Sequence, residues 1–408
     1  MEKSGDPVVV LGGGLTGLGL ARALGRRRID IYLVVDQRDE AIYTKYCKKS
    51  FFAPKMRSNP DTLRKILESV GKSVNKRVIV YPTSDLDALY LSKLKDEMPQ
   101  DYHFVVGDKE TVEILVDKSK FYKTLERNHV NYPVTYFPQD MEDARRIGAK
   151  ITYPVFIRPA IPQLFNRILG IRQKKGFIAY SCKELADYYR LTTRQGIEVM
   201  FQEIIPGPPN RSYQLEGYYN RDHLPTVLFA RQRLRIWPLD FGNATLCVSI
   251  PLIKLHKEKN MINQLMKTLG YHGLMSAEFK EDVRDGTLKL LEINARPWWH
   301  FWLSARCGAD IILYSYLDAT GQKTEYVEEY ETGVKSLYLM NDVFASARMF
   351  LNGSLALSDW ISSLQGNIQF ASFQKEDASP FIMDWVIKGF LLFKHRSPKQ
   401  AEEIPSPD

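Results

Sequence analysis

The chain has few cysteines and no long apolar run. Only four cysteines occur among 408 residues, and none lies close enough to another for a zinc knuckle, a redox pair or a dense disulfide framework. We therefore expect free thiols, packed in the interior, and a cytoplasmic protein. No segment approaches the ~20 apolar residues of a membrane-spanning helix. The N-terminus also lacks the apolar core of a signal peptide.

Neither charge of one sign nor low complexity dominates the sequence. Charged residues make up 25% and hydrophobic residues 44%, which excludes a disordered, collagen-like or multi-span membrane protein. The length predicts two or three domains, at ~150 residues each. The net charge of +8 favours anionic ligands in general. Because the basic residues are dispersed and no recognisable module appears, we expect no nucleic acid partner.

A glycine-rich turn follows the first predicted strand. The apolar run PVVVL leads into Gly12, Gly14 and Gly17, which fit the G-x-G-x-x-G pattern before a helix. Asp36 ends the next apolar strand, where an acidic residue would bind a ribose. Strands that alternate with helices predict a parallel α/β sheet. The residues leave two explanations of the glycines open: a dinucleotide site, or a turn that is structural or binds another ligand.

A predicted hairpin carries two carboxylates and an amide on one face. Glu292 and Asn294 are two residues apart in a strand, so they point to the same side. A three-residue loop would pair Val283 with Thr287, and counting back from this pair puts Glu278 opposite Glu292. Three such oxygen ligands suit Mg²⁺ that also binds nucleotide phosphates. Because the alternate positions are apolar, we favour a metal site over a solvated polar face.

Five segments in a fixed order carry a family resemblance: GGGLTG, LVDKSKFY, YPVFIRP, FQEIIPG and SAEF…LLEINARP. The chain resembles the ATP-grasp superfamily of carboxylate–amine ligases, and most of all its D-aspartate-ligase-type and carbamoyl-phosphate-synthetase-like branch. The resemblance implies an α/β protein with a Rossmann-like pre-ATP-grasp domain, a two-subdomain ATP-grasp fold (α+β) and a helical C-terminal tail. The implied boundaries are 1–112 for the N-terminal domain, 113–195 for the small subdomain with its lid, 196–325 for the large subdomain with the Mg site, and 326–408 for the tail.

The resemblance also implies a two-step reaction. A substrate carboxylate attacks the γ-phosphate of ATP to give an acyl phosphate and ADP, and an amine then displaces phosphate to form an amide. The implied cofactors are ATP and Mg²⁺, with Mn²⁺ as an alternative ion. The implied substrates are a small-molecule or peptide-precursor carboxylate and an amine. A Rossmann NAD(P)- or FAD-dependent oxidoreductase and a non-catalytic, regulatory nucleotide-binding protein are the alternatives.

Site residues follow from the resemblance position by position. Glu278, Glu292 and Asn294 match the metal ligands, and Arg296 matches an arginine beside the acyl phosphate. Arg158, where many relatives have lysine, is expected to serve both the nucleotide and the reaction. The predicted nucleotide-binding residues are Lys118, Arg158, Lys175, Gln202, Glu203, Ile204 and Asn210.

Two departures from the family pattern concern nucleotide binding. Asn210 stands near the position where relatives often have an acidic ribose ligand. The lid region, residues 160–176, has few glycines, and Lys174 and Lys175 would supply its phosphate contact. A solvated basic loop explains the two lysines equally well.

Two further segments bear on substrates and partners. Arg231, Arg233 and Arg235 alternate along a predicted strand, so they form either a site for an anionic substrate or an exposed basic face. The apolar stretch from Phe381 to Phe393 has basic neighbours, as in a helix at a membrane interface. We favour packing of this helix on the core. The sequence leaves homo-oligomerisation open.

Overall fold

The structure is a computed structural model. It describes residues 5–170 and 175–394, with the side chains of the last helix described through residue 387. The chain divides into two compact units. Unit 1 comprises Met1–Val112, Pro208–Glu278 and Ile293–Ile387, and unit 2 comprises Glu113–Gly207, Phe279–Glu292 and Lys388–Asp408.

Unit 1 begins with a five-stranded parallel sheet. Its segment contains β1 (Val8–Leu11), α1 (Gly14–Gly25), β2 (Ile31–Val35), β3 (Cys47–Phe52), α2 (Pro60–Val74), β4 (Val78–Pro82), α3 (Asp85–Leu94), β5 (Tyr102–Phe104) and α4 (Lys109–Val116). The strand order is β3-β2-β1-β4-β5, and all neighbours are parallel, as predicted. β3 and α2 have no counterpart among the predicted elements. β3 is a largely polar and exposed edge strand, whereas α2 has the signals of an amphipathic helix, with Asn59 as its cap and Leu63, Leu67 and Val70 buried on one face.

Unit 2 is built around a four-stranded antiparallel sheet. The chain continues through α5 (Lys118–Arg127), β6 (Thr135–Tyr136), α6 (Met141–Gly148), β7 (Val155–Pro159), α7 (Pro162–Ile168), β8 (Phe177–Ala179), α8 (Cys182–Arg194) and β9 (Val199–Glu203). The strand order is β6-β9-β7-β8. Val155, Ile157 and Phe201 lie in its buried core beside Phe165 of α7. The region predicted to be a basic lid loop therefore contains a helix.

The second half of the chain forms a seven-stranded sheet. It contains β10 (Ser212–Tyr219), β11 (Pro225–Trp237), β12 (Asn243–Ile250), α9 (His256–Leu269), β13 (Gly273–Glu281), β14 (Leu288–Asn294), α10 (Phe301–Arg306), α11 (Ile311–Ala319), β15 (Lys335–Leu337), α12 (Leu339–Leu351), α13 (Leu357–Ser363), β16 (Ile368–Phe370) and α14 (Ser379–Lys394). The strand order is β14-β13-β10-β11-β12-β15-β16. β15 and β16 extend this sheet, so the segment predicted to be a helical tail is not wholly helical.

The turn between β13 and β14 differs from the predicted one. The Asp282 N–H donates to the Thr287 carbonyl (2.9 Å), and the Gly286 N–H donates to the Asp282 carbonyl (2.7 Å). Gly286 has a φ of +72°, so Gly286 and Thr287 together face Asp282 as a G1 bulge. The predicted pairing of Val283 with Thr287 is therefore wrong, and the strand register cannot be counted from it.

Buried apolar side chains hold unit 1 together. Leu20 and Leu24 of α1 share one core with Phe301 of α10 and Ile311 of α11. The cysteines are free thiols, two of them buried and two half-buried. In α14, Asp384 is buried and accepts a hydrogen bond from the Tyr338 hydroxyl, whereas Ile382, Trp385 and Val386 are exposed. Among the helices that the structure describes, none combines the length and the apolar character needed to cross a bilayer.

Candidate functional site

Two cations from different elements converge on Glu292 within unit 2. The Nη2 atom of Arg158 lies 3.1 Å from Oε2 of Glu292, and Nζ of Lys118 lies 3.6 Å from the same oxygen. Arg158 is on β7, Lys118 is the first residue of α5, and Glu292 is on β14. All three side chains are largely buried, with exposures of 13%, 9% and 22%. Three residues that the sequence predicts for one site are thus brought together.

Local hydrogen bonds explain why these side chains meet. Asp117 caps α5 by accepting from the N–H groups of Ser119 and Lys120, which fixes the start of the helix at Lys118. The backbone N–H of Lys118 donates to the carbonyl of Ala160, the residue after β7. One turn further on, the Tyr122 hydroxyl donates to the Leu291 carbonyl at 2.6 Å, beside Glu292. These bonds tie α5 to both strands that carry its partners.

The predicted adenine hinge at the end of β9 is partly internal. Gln202 is 3% exposed. Its Oε1 accepts from Nη1 of Arg158 at 3.3 Å, and its Nε2 donates to Oγ1 of Thr135. Gln202 therefore orients Arg158 and has a side chain that is already bonded. Ile204, two residues on, is half-buried just after the strand.

Ion pairs take up the Glu203 side chain. Lys289 and Arg284 each donate to one of its oxygens at 2.8 Å, and the Val134 N–H donates as well. Burial alone would raise the pKa of Glu203, but the bonds from Lys289 and Arg284 outweigh it and hold the pKa below its ordinary value. Any contact of Glu203 with a nucleotide therefore falls to its backbone.

Two of the predicted nucleotide residues are exposed. Lys175 is exposed, and Lys174 lies outside the described residues. Asn210 is exposed in unit 1, where its carbonyl accepts a hydrogen bond from Gln232 at 2.6 Å.

In unit 1 the three alternating arginines of β11 are not an exposed basic face. Arg231 pairs with Glu216 at 2.6 Å, Arg233 with Glu278 at 2.6 Å, and Arg235 with Asp342 at 2.8 Å. Arg231 and Arg235 are buried together with their carboxylate partners. The exposed-face interpretation is therefore wrong, because acidic residues distant in sequence neutralise each arginine.

Arg296 is held firmly in unit 1. Its Nε donates to Oδ1 of Asp85 at 2.7 Å, and its Nη2 donates to Oδ1 of Asn294 at 3.3 Å. Asp85 is the first residue of α3, directly after the capping residue Ser84. Asp85 has no predicted role, since nothing in the sequence connects it with Arg296, 211 residues away.

The side-chain types predicted for the metal site suit a hard divalent cation. Glu278, Glu292 and Asn294 offer two carboxylates and an amide oxygen, which are the ligand types that Mg²⁺ prefers. Each of the three now contacts a cationic side chain: Arg233 for Glu278, Arg158 and Lys118 for Glu292, and Arg296 for Asn294. Among the described residues, no group of three or more His, Cys, Asp or Glu side chains is arranged so that it could hold a metal ion.

The glycine-rich turn is filled by the chain's own side chains. The Asp39 carboxylate accepts from the backbone N–H of Gly14 and occupies the space where a Cβ of Gly13 would lie. Burial, together with the nearby Glu40, raises the pKa of Asp39 to about 6. The Arg57 guanidinium and the Thr83 hydroxyl likewise occupy the space where a Cβ of Gly12 would lie.

Asp36, the predicted ribose ligand of a dinucleotide, is also engaged. Its Oδ2 lies 2.6 Å from Nη1 of Arg57, which also pairs with Asp87 at 2.8 Å. A dinucleotide would therefore have to displace a carboxylate and break an ion pair. This arrangement favours the steric explanation of the glycines.

Comparison with curated proteins gives two distant likenesses. No protein-family model matches the chain. It is 23% identical to the D-aspartate ligase of Enterococcus faecium over 243 residues, which is 58% of this chain and 57% of that protein. It is 22% identical to the carbamoyl phosphate synthase large chain of a Thermoanaerobacter species over 191 residues, which is 46% of this chain and 17% of that protein. The match thus spans little more than half of the former and under one fifth of the latter.

Solved structures share the fold over most of the chain. One is the biotin carboxylase domain of Hydrogenobacter thermophilus 2-oxoglutarate carboxylase, in complex with MgADP, ADP and bicarbonate (TM-score 0.64, 16% identity, 80% of this chain and 73% of that chain). Another is N5-carboxyaminoimidazole synthetase from Staphylococcus aureus (TM-score 0.61, 14% identity, 82% and 81%). The same synthetase has also been solved with ADP. These likenesses confirm the predicted mixed α/β fold.

Proposed function

We propose that this chain, whose sequence and fold resemble those of the ATP-grasp ligase superfamily, is an ATP-dependent carboxylate–amine ligase. It would activate a carboxylate as an acyl phosphate and join it to an amine, releasing ADP and phosphate. The observation that carries the proposal is the group of Lys118, Arg158 and Glu292 in unit 2, where two buried cations meet one carboxylate. The likeness to D-aspartate ligase supports the type of bond formed.

Each cation has a role that phosphoryl transfer needs. Such a transfer requires mainly alignment and neutralisation of charge, so the protein supplies cations rather than a nucleophile. Lys118 and Arg158 would bind the phosphates of ATP, and the Arg158 guanidinium can donate two parallel hydrogen bonds to one phosphate. Arg296, held by Asp85, would bind an oxygen of the acyl phosphate.

Glu278, Glu292 and Asn294 would hold Mg²⁺ or Mn²⁺. When bound, such an ion neutralises the phosphates and polarises the transferred group. In the structure each of these ligands is held by a cation of the protein. ATP phosphates would attract Lys118 and Arg158 and so release the Glu292 carboxylate for the metal. Nucleotide and metal are thus expected to bind more tightly together than apart.

The adenine contact would come from the backbone at Glu203 and Ile204, with Gln202 holding Arg158 in place. Asn210 would meet the ribose and Lys175 the phosphates, although both side chains are exposed. We also propose the four-part division predicted from the sequence, and a cytoplasmic location. Small-molecule or peptide-precursor substrates remain the expected partners.

Isotope transfer tests the reaction directly. The purified protein is incubated with Mg·ATP, an amine pool and a panel of carboxylates labelled with ¹⁸O. Phosphate release is measured first, and mass spectrometry then identifies products. An acyl phosphate requires that one ¹⁸O atom pass from the carboxylate to the released phosphate. Phosphate without label would contradict the acyl-phosphate step, and saturable ATP binding without any turnover would favour the regulatory alternative.

A further inference from the structure

Gln214 has a buried side-chain amide that makes no hydrogen bond to the described residues. It lies on β10 and is 1% exposed. Among the residues that the structure describes, neither its Oε1 nor its Nε2 has a hydrogen-bond partner. Most buried polar side chains in proteins are paired, because leaving one unpaired is costly. A buried amide with both polar atoms unpaired is therefore expected to bind water or a ligand.

Its neighbours on the same sheet face are charged. Gln214 stands directly opposite Arg231 on β11, and Glu216 and Arg233 lie two residues further along on the same face. Arg231 and Glu216 bond to each other at 2.6 Å in the interior. Arg233 contacts Glu278 through Nη2, while its own Nε has no partner among the described residues.

Resting on the ligase function proposed above, we propose that Gln214 and Arg233 bind the head group of an amino-acid substrate. The Nε2 of Gln214 and the Nε of Arg233 are two unused donors on diagonal positions of one face, and together they match the two oxygens of a carboxylate. The Oε1 of Gln214 is an unused acceptor that matches the neighbouring ammonium group.

The local charge selects a zwitterion over a polyanion. Arg231 and Arg233 are balanced by Glu216 and Glu278, and the metal ion proposed for Glu278 would arrive with the negative phosphates of ATP, so this face gains no excess of positive charge. A phosphate or dicarboxylate group would bring unbalanced negative charge into a buried site, whereas the head group of an amino acid brings none. The side chains of Arg233 and Glu278 are each 14% exposed, so the site reaches solvent through this pair.

A substitution separates this role from a purely structural one. Gln214→Met keeps the approximate volume and removes the unpaired amide. If the unpaired amide binds no ligand, the variant would be more stable and would bind every ligand as the unsubstituted protein does. If the amide binds substrate, the variant stays as stable or becomes more stable but loses affinity for the amino acid. Gain of stability with loss of recognition is typical of a functional polar group.

The matched control is Gln232→Met. Gln232 is on β11, opposite Tyr213, so it points to the other face of the sheet. Its amide donates to the Asn210 carbonyl. The control therefore makes the same change in a glutamine that already has a partner. It is expected to lose some stability and to bind amino acids like the unsubstituted protein.

The experiment is calorimetric titration of the whole chain with amino acids in the presence of a non-hydrolysable Mg·ATP analogue. A panel of L- and D-amino acids identifies the ligand, and its hydroxy-acid and decarboxylated analogues follow. We expect Gln214→Met to weaken amino-acid binding at least tenfold while the affinity for the ATP analogue changes less than twofold. Both analogues should also bind at least tenfold more weakly.

Unchanged amino-acid affinity in Gln214→Met would overturn the proposal and leave Gln214 as a site for water only. Equal binding of the hydroxy acid would overturn the ammonium contact at Oε1. No amino-acid binding to the unsubstituted protein would also overturn it. Because binding is measured without turnover, these results are separate from the isotope test: Gln214-dependent binding without ATP-dependent product would support this site and reject the ligase function.

Discussion

Two regions of the molecule carry features of a nucleotide site, and they differ in what occupies them. The turn at Gly12, Gly13 and Gly14 matches a widespread phosphate-binding pattern, yet Asp39 and Arg57 fill the space above it. The group around Glu292 matches a less familiar pattern, yet it gathers Lys118 and Arg158 where a phosphate would need them. The glycine turn has the more widespread motif but is the region less suited to an anionic ligand.

The difference concerns which charge is paired with which. At the glycine turn, the backbone N–H of Gly14, which would bind a phosphate, already binds the Asp39 carboxylate, so the chain supplies its own anion. At Glu292 the chain supplies cations, and an incoming anion would gain from them. Whether the protein's own side chains occupy the ligand space therefore distinguishes the two regions better than the sequence motif does.

The largest effect is expected from Glu292→Gln. This change keeps the shape of the side chain but removes the charge that the proposed metal needs. Turnover should fall roughly 10³-fold, while the far-UV circular dichroism spectrum stays the same. Phosphate release under saturating Mg·ATP measures it, with the exposed Glu142→Gln in unit 2 as the control. Full activity in Glu292→Gln would contradict the site assignment.

Arg158→Gln should separate nucleotide from metal. The loss of a charged hydrogen-bond donor is expected to weaken binding of an ATP analogue about 10- to 100-fold. Binding of Mn²⁺ alone should instead become tighter, because one of the cations that neutralise Glu292 is removed. Calorimetry and Mn²⁺ electron paramagnetic resonance measure the two affinities. The control is the exposed Arg146→Gln, and a parallel loss of both affinities would argue against the exchange of partners.

Gly13→Ala tests the other region. A Cβ at this position would overlap the Asp39 carboxylate, so we expect a loss of about 1–3 kcal/mol in the free energy of unfolding. Gly14→Ala meets no atom within 4 Å and should cost only about 1 kcal/mol for its positive φ. Urea denaturation measures both. Neither should change the affinity for the ATP analogue, and a tenfold loss would return the nucleotide to the glycine turn.

Asp39→Asn is expected to change the pH dependence of stability and to leave the proposed reaction unaffected. The pKa of Asp39 in the folded chain, about 6, exceeds its unfolded value, so proton binding favours the folded state. This stabilisation is complete below about pH 4 and is lost as the pH rises through 6. The unsubstituted protein should lose about 2–3 kcal/mol of its free energy of unfolding between pH 4 and 7.5, a loss that Asp39→Asn does not show. Denaturation curves at several pH values test this, and identical profiles would contradict it.

Sequence periodicity predicted the regular parts of the fold well. The buried strands β1, β2 and β4 have continuous apolar runs because both faces are covered. β3 was missed because its outward residues are polar, and only its pairing with β2 makes it a strand. The hairpin register was miscounted because Gly286, with a positive φ, adds a bulge that the letters RDG do not specify.

The sequence predicted which residues belong to the candidate site but not which side chains they pair with. The ordered motifs identified Lys118, Arg158 and Glu292, which the structure brings together. The partners of Arg233 and Arg296 could not be predicted, since Glu278 and Asp85 lie far away in sequence and meet them only in the fold. Ser212, Gln214 and Glu216 alternate along β10, so the sequence indicates a polar face of this strand but not that the Gln214 amide has no partner.

The central claim is that a nucleotide binds at Lys118 and Arg158 and not at the glycine turn. One calorimetric series tests it most directly: the unsubstituted protein, Arg158→Gln and Gly13→Ala are each titrated with a Mg·ATP analogue and with NADH. We predict saturable binding of the ATP analogue, a 10- to 100-fold loss in Arg158→Gln, no change in Gly13→Ala and no binding of NADH. Tight NADH binding that Gly13→Ala abolishes and Arg158→Gln leaves intact would contradict the account.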